Sequence, residues 1–159
     1  MAATYSTDSP SSEQTRAIGA ALGGCVRPGD VLALRGPLGV GKTCLVQGIA
    51  RGLGVDPNVP VTSPTFTLVG EYPGRVSLRH ADFYRVDSYR RLEDAGFDDL
   101  LDGRGVVVVE WPERFPEALP EGRLLIEFEF VGESSRRLRF SARGSRAEQL
   151  LQQAAEQWP

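Results

Sequence analysis

The chain has 159 residues, 41% of them hydrophobic and 25% charged, with a net charge of −3, a composition that fits one globular domain built on a single core. That balance excludes a broad cationic field for nucleic acid, and no apolar run approaches the ~20 residues that span a bilayer. The start "MAATYSTDSP" has neither the basic nor the apolar region of a secretory signal, and two cysteines, Cys25 and Cys44, are too few for a disulfide framework, so the expected setting is a reducing cytoplasm.

In chain order, residues 1–10 are expected to be a frayed polar start, and 11–159 a single domain. "SSEQTRAIGAALGGC" reads as a helix: Ser11 and Gln14 have capping-box spacing, and Ala17, Ile18, Ala21, Leu22 and Cys25 recur at helical intervals. "RPGD" is a turn. "VLALRG" has strand length and opens the core sheet. "KTCLVQGIARGLG" is a second helix, with Leu45, Val46, Ile49 and Leu53 on one side and Gly54 as its cap. "DPNVPVTSP" is loop. "TFTLVGEY" and "VSLRHADF" flank "PG" as a hairpin. "SYRRLEDAGFDDLLD" reads as one helix. "GVVVVEW" is a β-branched run expected as a buried central strand. "RLLIEFEFV" and "RRLRFSA" alternate with period 2 around "GESS" and form a second antiparallel pair; their arginines 136, 137, 139 and 143 are an example of a local basic patch. "SRAEQLLQQAAEQW" closes the chain as a helix. The order implies an α/β fold of three layers: a mixed central sheet, part parallel and part antiparallel, with helices on both faces.

Lys42 is the single lysine among 18 basic side chains, the rest being arginine. It stands in "GPLGVGKT", Gly36 to Thr43, which fits G-x-x-x-x-G-K-[ST] between a predicted strand and a predicted helix. Gly36, Gly39 and Gly41 let the backbone approach phosphates closely. The N–H groups from Leu38 to Thr43, Val40 included, can form an anion nest to which the helix N-terminus adds positive potential. Lys42 reaches the β- and γ-phosphates as a compact charge that the planar fork of arginine does not replace. The Thr43 hydroxyl suits Mg²⁺. The plain alternative is a glycine-rich turn before a helix. The lone lysine of an arginine-using chain is better explained by a phosphate site.

A phosphate loop needs a carboxylate at the end of a neighbouring strand to hold Mg²⁺ or its water. Glu110 closes the four-valine run and fits; otherwise it is a strand-ending surface glutamate. Trp111 packs at that strand end or meets the ligand. In "HADFYR" the only histidine, His80, and Asp82 share a face of a strand. Asp82 either orients the attacking water or a Mg²⁺ water, or belongs to a hydrogen-bonded sheet end. "TSPTF", Thr62 to Phe66, is a γ-phosphate-sensing loop or an ordinary Ser/Thr turn.

Together, "EQTRAIGAALG", "LRGPLGVGKTCLVQGIARGLG", "VTSPTFTLV", "HADFYR" and "VVVVEWPERFPEALP" resemble the TsaE (YjeE) family, small bacterial ATPases of threonylcarbamoyladenosine synthesis on tRNA. The matching pieces come in family order and cover most of residues 13 to 120; the tail beyond matches only in character. The resemblance implies a P-loop NTPase fold, binding of ATP or ADP with Mg²⁺, and ATP hydrolysis. It implies Thr43 and Glu110 on the Mg²⁺ side, Lys42 and Asp82 as the catalytic pair, Ser63, Pro64, Thr65 and Phe66 as a nucleotide-responsive switch, Thr15 near the adenine and Arg137 near the nucleotide. It also implies partners: a TsaB–TsaD pair that modifies ANN-decoding tRNAs and that this protein resets, with tRNA met only through that complex and the protein monomeric on its own. Pro37 departs from the family, where an acidic residue is common, and stiffens the loop.

Three other readings compete. A small P-loop kinase of a metabolite would add an arginine-bearing lid, and no such segment stands out. A GTPase would need N-K-x-D for guanine, which is impossible when the only lysine is in the phosphate loop. A non-catalytic nucleotide sensor would bind without turnover.

Overall fold

The computed structural model describes residues 2–64 and 68–158. A seven-stranded sheet runs through it in the order β1-β7-β6-β2-β5-β4-β3. The strands are β1 (Ala2–Ser9), β2 (Val31–Arg35), β3 (Val69–Tyr72), β4 (Ser77–Asp82), β5 (Gly105–Glu110), β6 (Arg123–Phe130) and β7 (Arg136–Arg143). The helices are α1 (Ser12–Cys25), α2 (Lys42–Gly52), α3 (Tyr89–Asp94) and α4 (Ser145–Ala155).

The centre is parallel: β2 pairs β5 on one side and β6 on the other, and β4 pairs β5. β5 is buried along its whole length, as a run of four valines covered on both faces requires. The β3–β4 and β6–β7 ladders are antiparallel, so both expected pairs form.

The first ten residues depart from the expectation of a frayed start. Residues 2–9 form β1 and pair with β7 in antiparallel register from Ala2 opposite Arg143 to Ser9 opposite Arg136. The polar sequence conceals the strand because β1 is an edge with one solvated face. Ala3 packs against the core, and Tyr5, opposite Phe140, packs edge-on against Trp158. The expected single helix over 88–102 also divides. Gly96 takes φ +77 and ends the turn after α3, and Phe97–Leu101 continues as a 3-10 helix; only a residue without Cβ enters that conformation cheaply.

The two faces are unequal. On one, α1, α2 and α4 cover Leu32, Leu34, Val106, Val108, Leu124, Ile126 and Phe140. On the other, α3 and short 3-10 turns, one of them contributing Phe97, cover Val107, Val109 and Phe83. Ser11 caps α1, its hydroxyl accepting from the Gln14 N–H at 3.1 Å. The two helices behind the phosphate loop meet backbone to backbone. A Cβ at Gly19 would lie 2.4 Å from the Leu45 carbonyl oxygen, one at Gly48 2.1 Å from that of Arg16, and ones at Gly23 and Gly52 2.3 Å from those of Ile49 and Ala20. Glycines four apart on both helices therefore set how closely α2 seats against α1. No helix among the described residues is long and apolar enough to cross a membrane.

Candidate functional site

The parallel strands β2, β4 and β5 all end at one edge of the sheet, where ligands of open α/β folds collect. The loop from Gly36 leaves β2 there and enters α2 at Lys42. Its glycines act in two ways. Gly39 and Gly41 have φ +76 and +113, and a Cβ at either would meet nothing within 4 Å among the described residues, so they serve backbone conformation and an open cradle. Gly36 is a packing position: a Cβ there would lie 2.9 Å from that of Phe128.

Lys42 is only 5% exposed. Its ammonium donates to the Gly36 carbonyl oxygen and sits 3.7 Å from the centre of the Trp111 ring, a cation–π contact. Burial pulls the ammonium below the ordinary lysine range, against the pull of Glu110, Glu113 and Asp82. Trp111 has φ +59, a conformation that a bulky residue, above all one preceding proline, seldom adopts. Such strain clusters at functional sites. Here it turns the indole over Lys42, with the Tyr84 ring tilted against it at 4.7 Å between centres.

Glu110 is 3% exposed. Its Oε2 accepts from His80 Nε2 at 2.6 Å and from the Ser63 hydroxyl at 3.0 Å. A carboxylate only accepts, so the His80 hydrogen lies on Nε2, and its Nδ1 is buried without a partner among the described residues. Ser63 Oγ also lies 2.8 Å from Thr43 Oγ1. Asp82 stands opposite Glu110 in register, two residues beyond His80 on the same face, as the spacing predicts. Its Oδ1 accepts the Tyr84 N–H at 2.9 Å. Burial raises its carboxyl above the ordinary aspartate value; the Tyr84 N–H lowers it and neighbouring Glu110 adds to the rise.

These groups line one cleft of about 690 Å³ that includes Leu38, Gly39, Gly41, Lys42, Thr43, Ser63, Pro64, Asp82 and Glu110 and runs on to Tyr84, Arg85 and Arg91. Thr43, Glu110 and Asp82 offer oxygen donors there. No cluster of three or more His, Cys, Asp or Glu suited to a metal occurs among the described residues. That donor set fits Mg²⁺, which uses one or two carboxylates together with phosphate oxygens.

Two residues expected near the nucleotide, Thr15 and Arg137, are not among those that line this cleft. Thr15 is buried in α1, bonded to the Ser9 hydroxyl at 2.7 Å and to the Ser11 carbonyl oxygen, and does not line the cleft. Arg137 points to the face of β7 away from α2, where Asp8 holds it through two bonds of 2.8 and 3.2 Å. Strand parity turns its neighbour the other way: Arg136 Nε donates to the Val40 carbonyl oxygen of the phosphate loop at 3.2 Å. The period-2 pattern around Leu138 and Phe140 carried that signal. The basic cluster is also partly neutralised, since Glu129 pairs with Arg139 and lies near Arg137. Thr65 and Phe66 of the expected switch lie outside the described residues.

A family profile described as threonylcarbamoyl adenosine biosynthesis protein TsaE matches residues 9–138. The chain belongs to the TsaE family. A relative from Bacillus subtilis strain 168, named tRNA threonylcarbamoyladenosine biosynthesis protein TsaE, is 42% identical over 142 residues, 89% of this chain and 87% of its own. A namesake from Treponema pallidum is 39% identical over 130 residues, 82% of this chain and 95% of its own. The crystal structure of Bacillus subtilis YdiB matches with a TM-score of 0.82 at 35% identity, covering 98% of this chain and 97% of that one. The fold is thus the α/β P-loop NTPase fold of TsaE, and the family's role is in threonylcarbamoyladenosine biosynthesis on tRNA.

Proposed function

We propose that this TsaE-family chain is a Mg²⁺-dependent ATPase that acts on a TsaB–TsaD pair and allows it repeated rounds of threonylcarbamoyladenosine formation on ANN-decoding tRNAs. The observation that carries the ATPase reading is the convergence of Lys42, Thr43, Glu110 and Asp82 on one cleft at the ends of β2, β4 and β5.

In this reading the N–H groups of Gly39 to Thr43 and the start of α2 take the β-phosphate. Lys42 leaves the Trp111 ring and the Gly36 carbonyl for the γ-phosphate, and Trp111 walls the site. Thr43 and Glu110 hold the cation or its water, with His80 fixing the Glu110 carboxylate from behind. Bound Mg²⁺ neutralises charge on the phosphates. Asp82 accepts a proton from the attacking water; burial makes it more basic than an exposed aspartate, in the direction a general base needs. Adenine is preferred, because the lysine of a guanine-reading N-K-x-D is absent.

One observation favours a metabolite kinase as a second reading: the cleft continues past Asp82 to Arg85 and Arg91, leaving space for an acceptor. The test is ATP hydrolysis, and modified tRNA formed per TsaD over time, with the chain present or omitted. Multi-turnover modification that does not depend on it rejects the proposal. A phosphorylated small molecule would revive the kinase.

A further inference from the structure

Ser63 makes contacts that an ordinary turn does not require. Its hydroxyl stands between the two groups assigned to the cation, 2.8 Å from Thr43 Oγ1 and 3.0 Å from Glu110 Oε2. Hydrogen counting fixes the direction of the chain. The carboxylate only accepts, so Ser63 donates to Glu110, and Thr43 donates to Ser63. Glu110 Oε2 then accepts from two donors, Ser63 and His80. His80 is fully buried in β4 and cannot withdraw. Ser63 belongs to a loop segment without helix or strand. A cation on Oε2, or a water it holds there, therefore takes the position of Ser63.

Among the described residues, the segment's other tethers stop short of Ser63. Gln47 of α2 donates to the Val61 carbonyl oxygen at 3.1 Å. The Tyr72 hydroxyl of β3 contacts the Thr62 N–H and carbonyl oxygen at 3.4 Å each. Among the described residues, the hydroxyl of Ser63 is what joins this loop to the phosphate site.

We propose that Ser63 is a latch that competes with the divalent cation: metal loading at Thr43 and Glu110 detaches Ser63 and frees the loop from the site, so that the state of the cation is passed to the loop and, through Tyr72, to the β3–β4 hairpin. The latch rests on the Mg²⁺-site reading above and adds its regulation. It differs from a loop that closes onto the metal, because the bridge is broken by the cation rather than made by it.

The test uses the full-length protein with ADP and Mn²⁺ as the spectroscopic probe of the cation. Removing the competitor in Ser63→Ala should tighten Mn²⁺ binding to the ADP complex about five- to tenfold, the worth of roughly one net hydrogen bond. Amide hydrogen exchange of residues 61–63 supplies a second readout. In the parent, exchange should rise when Mg²⁺ joins ADP; in Ser63→Ala it should be high already and insensitive to the cation. Unchanged or weaker Mn²⁺ binding in Ser63→Ala overturns the latch, weaker binding marking Ser63 as a ligand instead. Glu110→Ala separates the two claims. If that variant holds Mn²⁺ as the parent does, the cation-site reading itself fails. If it loses Mn²⁺ while Ser63→Ala is unchanged, only the latch fails.

Discussion

Gly48→Ala and Gly24→Ala are the same chemical change with opposite expected signs. A Cβ at position 48 would lie 2.1 Å from the Arg16 carbonyl oxygen and 2.8 Å from its carbon. Ordinary van der Waals contact begins near 3.4 Å, and the obstructing atoms are backbone, so no rotamer change relieves the clash. α1 and α2 have to part by about an ångström, and overpacking of this kind costs about 1–3 kcal/mol or more. Alanine returns up to ~1 kcal/mol over glycine in a helix interior. The expected net loss is about 1–2 kcal/mol, a fall in Tm of roughly 2–8 °C for a chain of this size. Gly24 lies in α1 with nothing within 4 Å of a Cβ, so only the propensity term acts there and Gly24→Ala should gain up to ~1 kcal/mol. Thermal and denaturant unfolding of the two variants side by side measures both. Gly48→Ala should also weaken nucleotide binding, because Lys42 and Thr43 ride on the first turn of the displaced α2, whereas Gly24→Ala should not. A fully stable Gly48→Ala, or equal losses in both variants, would refute the backbone-to-backbone seating.

Two further predictions concern the site. Arg136→Ala frees the Val40 carbonyl oxygen and loosens the phosphate loop, so ADP affinity should fall several-fold, while Arg137→Ala on the opposite face should leave it unchanged; calorimetric titration giving the reverse order would sink the parity argument. Burial holds the Asp82 carboxyl above its ordinary value of 3.8, so the folded chain keeps that proton longer than the unfolded chain. No penalty exists below that value, where both forms are protonated, and it grows as pH rises through it. Asp82→Asn should therefore unfold at the parent's temperature near pH 3 and above it at pH 7; a variant less stable at neutrality would contradict the burial argument.

The parts of the fold that were legible in the sequence are those where one residue type has one physical use. Four consecutive valines ending in Glu110 announce a strand covered on both faces with a carboxylate at its mouth. Glycines around a single lysine announce the phosphate loop. β1 was hidden because an edge strand with a solvated face needs little apolar sequence. The glycines at 19, 23, 48 and 52 gave no warning either, since helical glycine signals close approach only once its partner is known. Arg136 and Arg137 are adjacent and chemically identical, and only the alternation of Leu138 and Phe140 separates the one that reaches the phosphate loop. The Ser63 bridge joins residues 43, 63 and 110, which no local pattern connects.

Calorimetric titration of ADP with Mg²⁺ into the parent chain and Lys42→Ala tests the central claim most directly. The expected result is one nucleotide per chain, binding nearly abolished in Lys42→Ala although that variant stays folded, and, because the N-K-x-D lysine is absent, ADP bound more tightly than GDP. Equal affinity in the two proteins, or no binding to the parent, would contradict the assignment of the cleft as a nucleotide site.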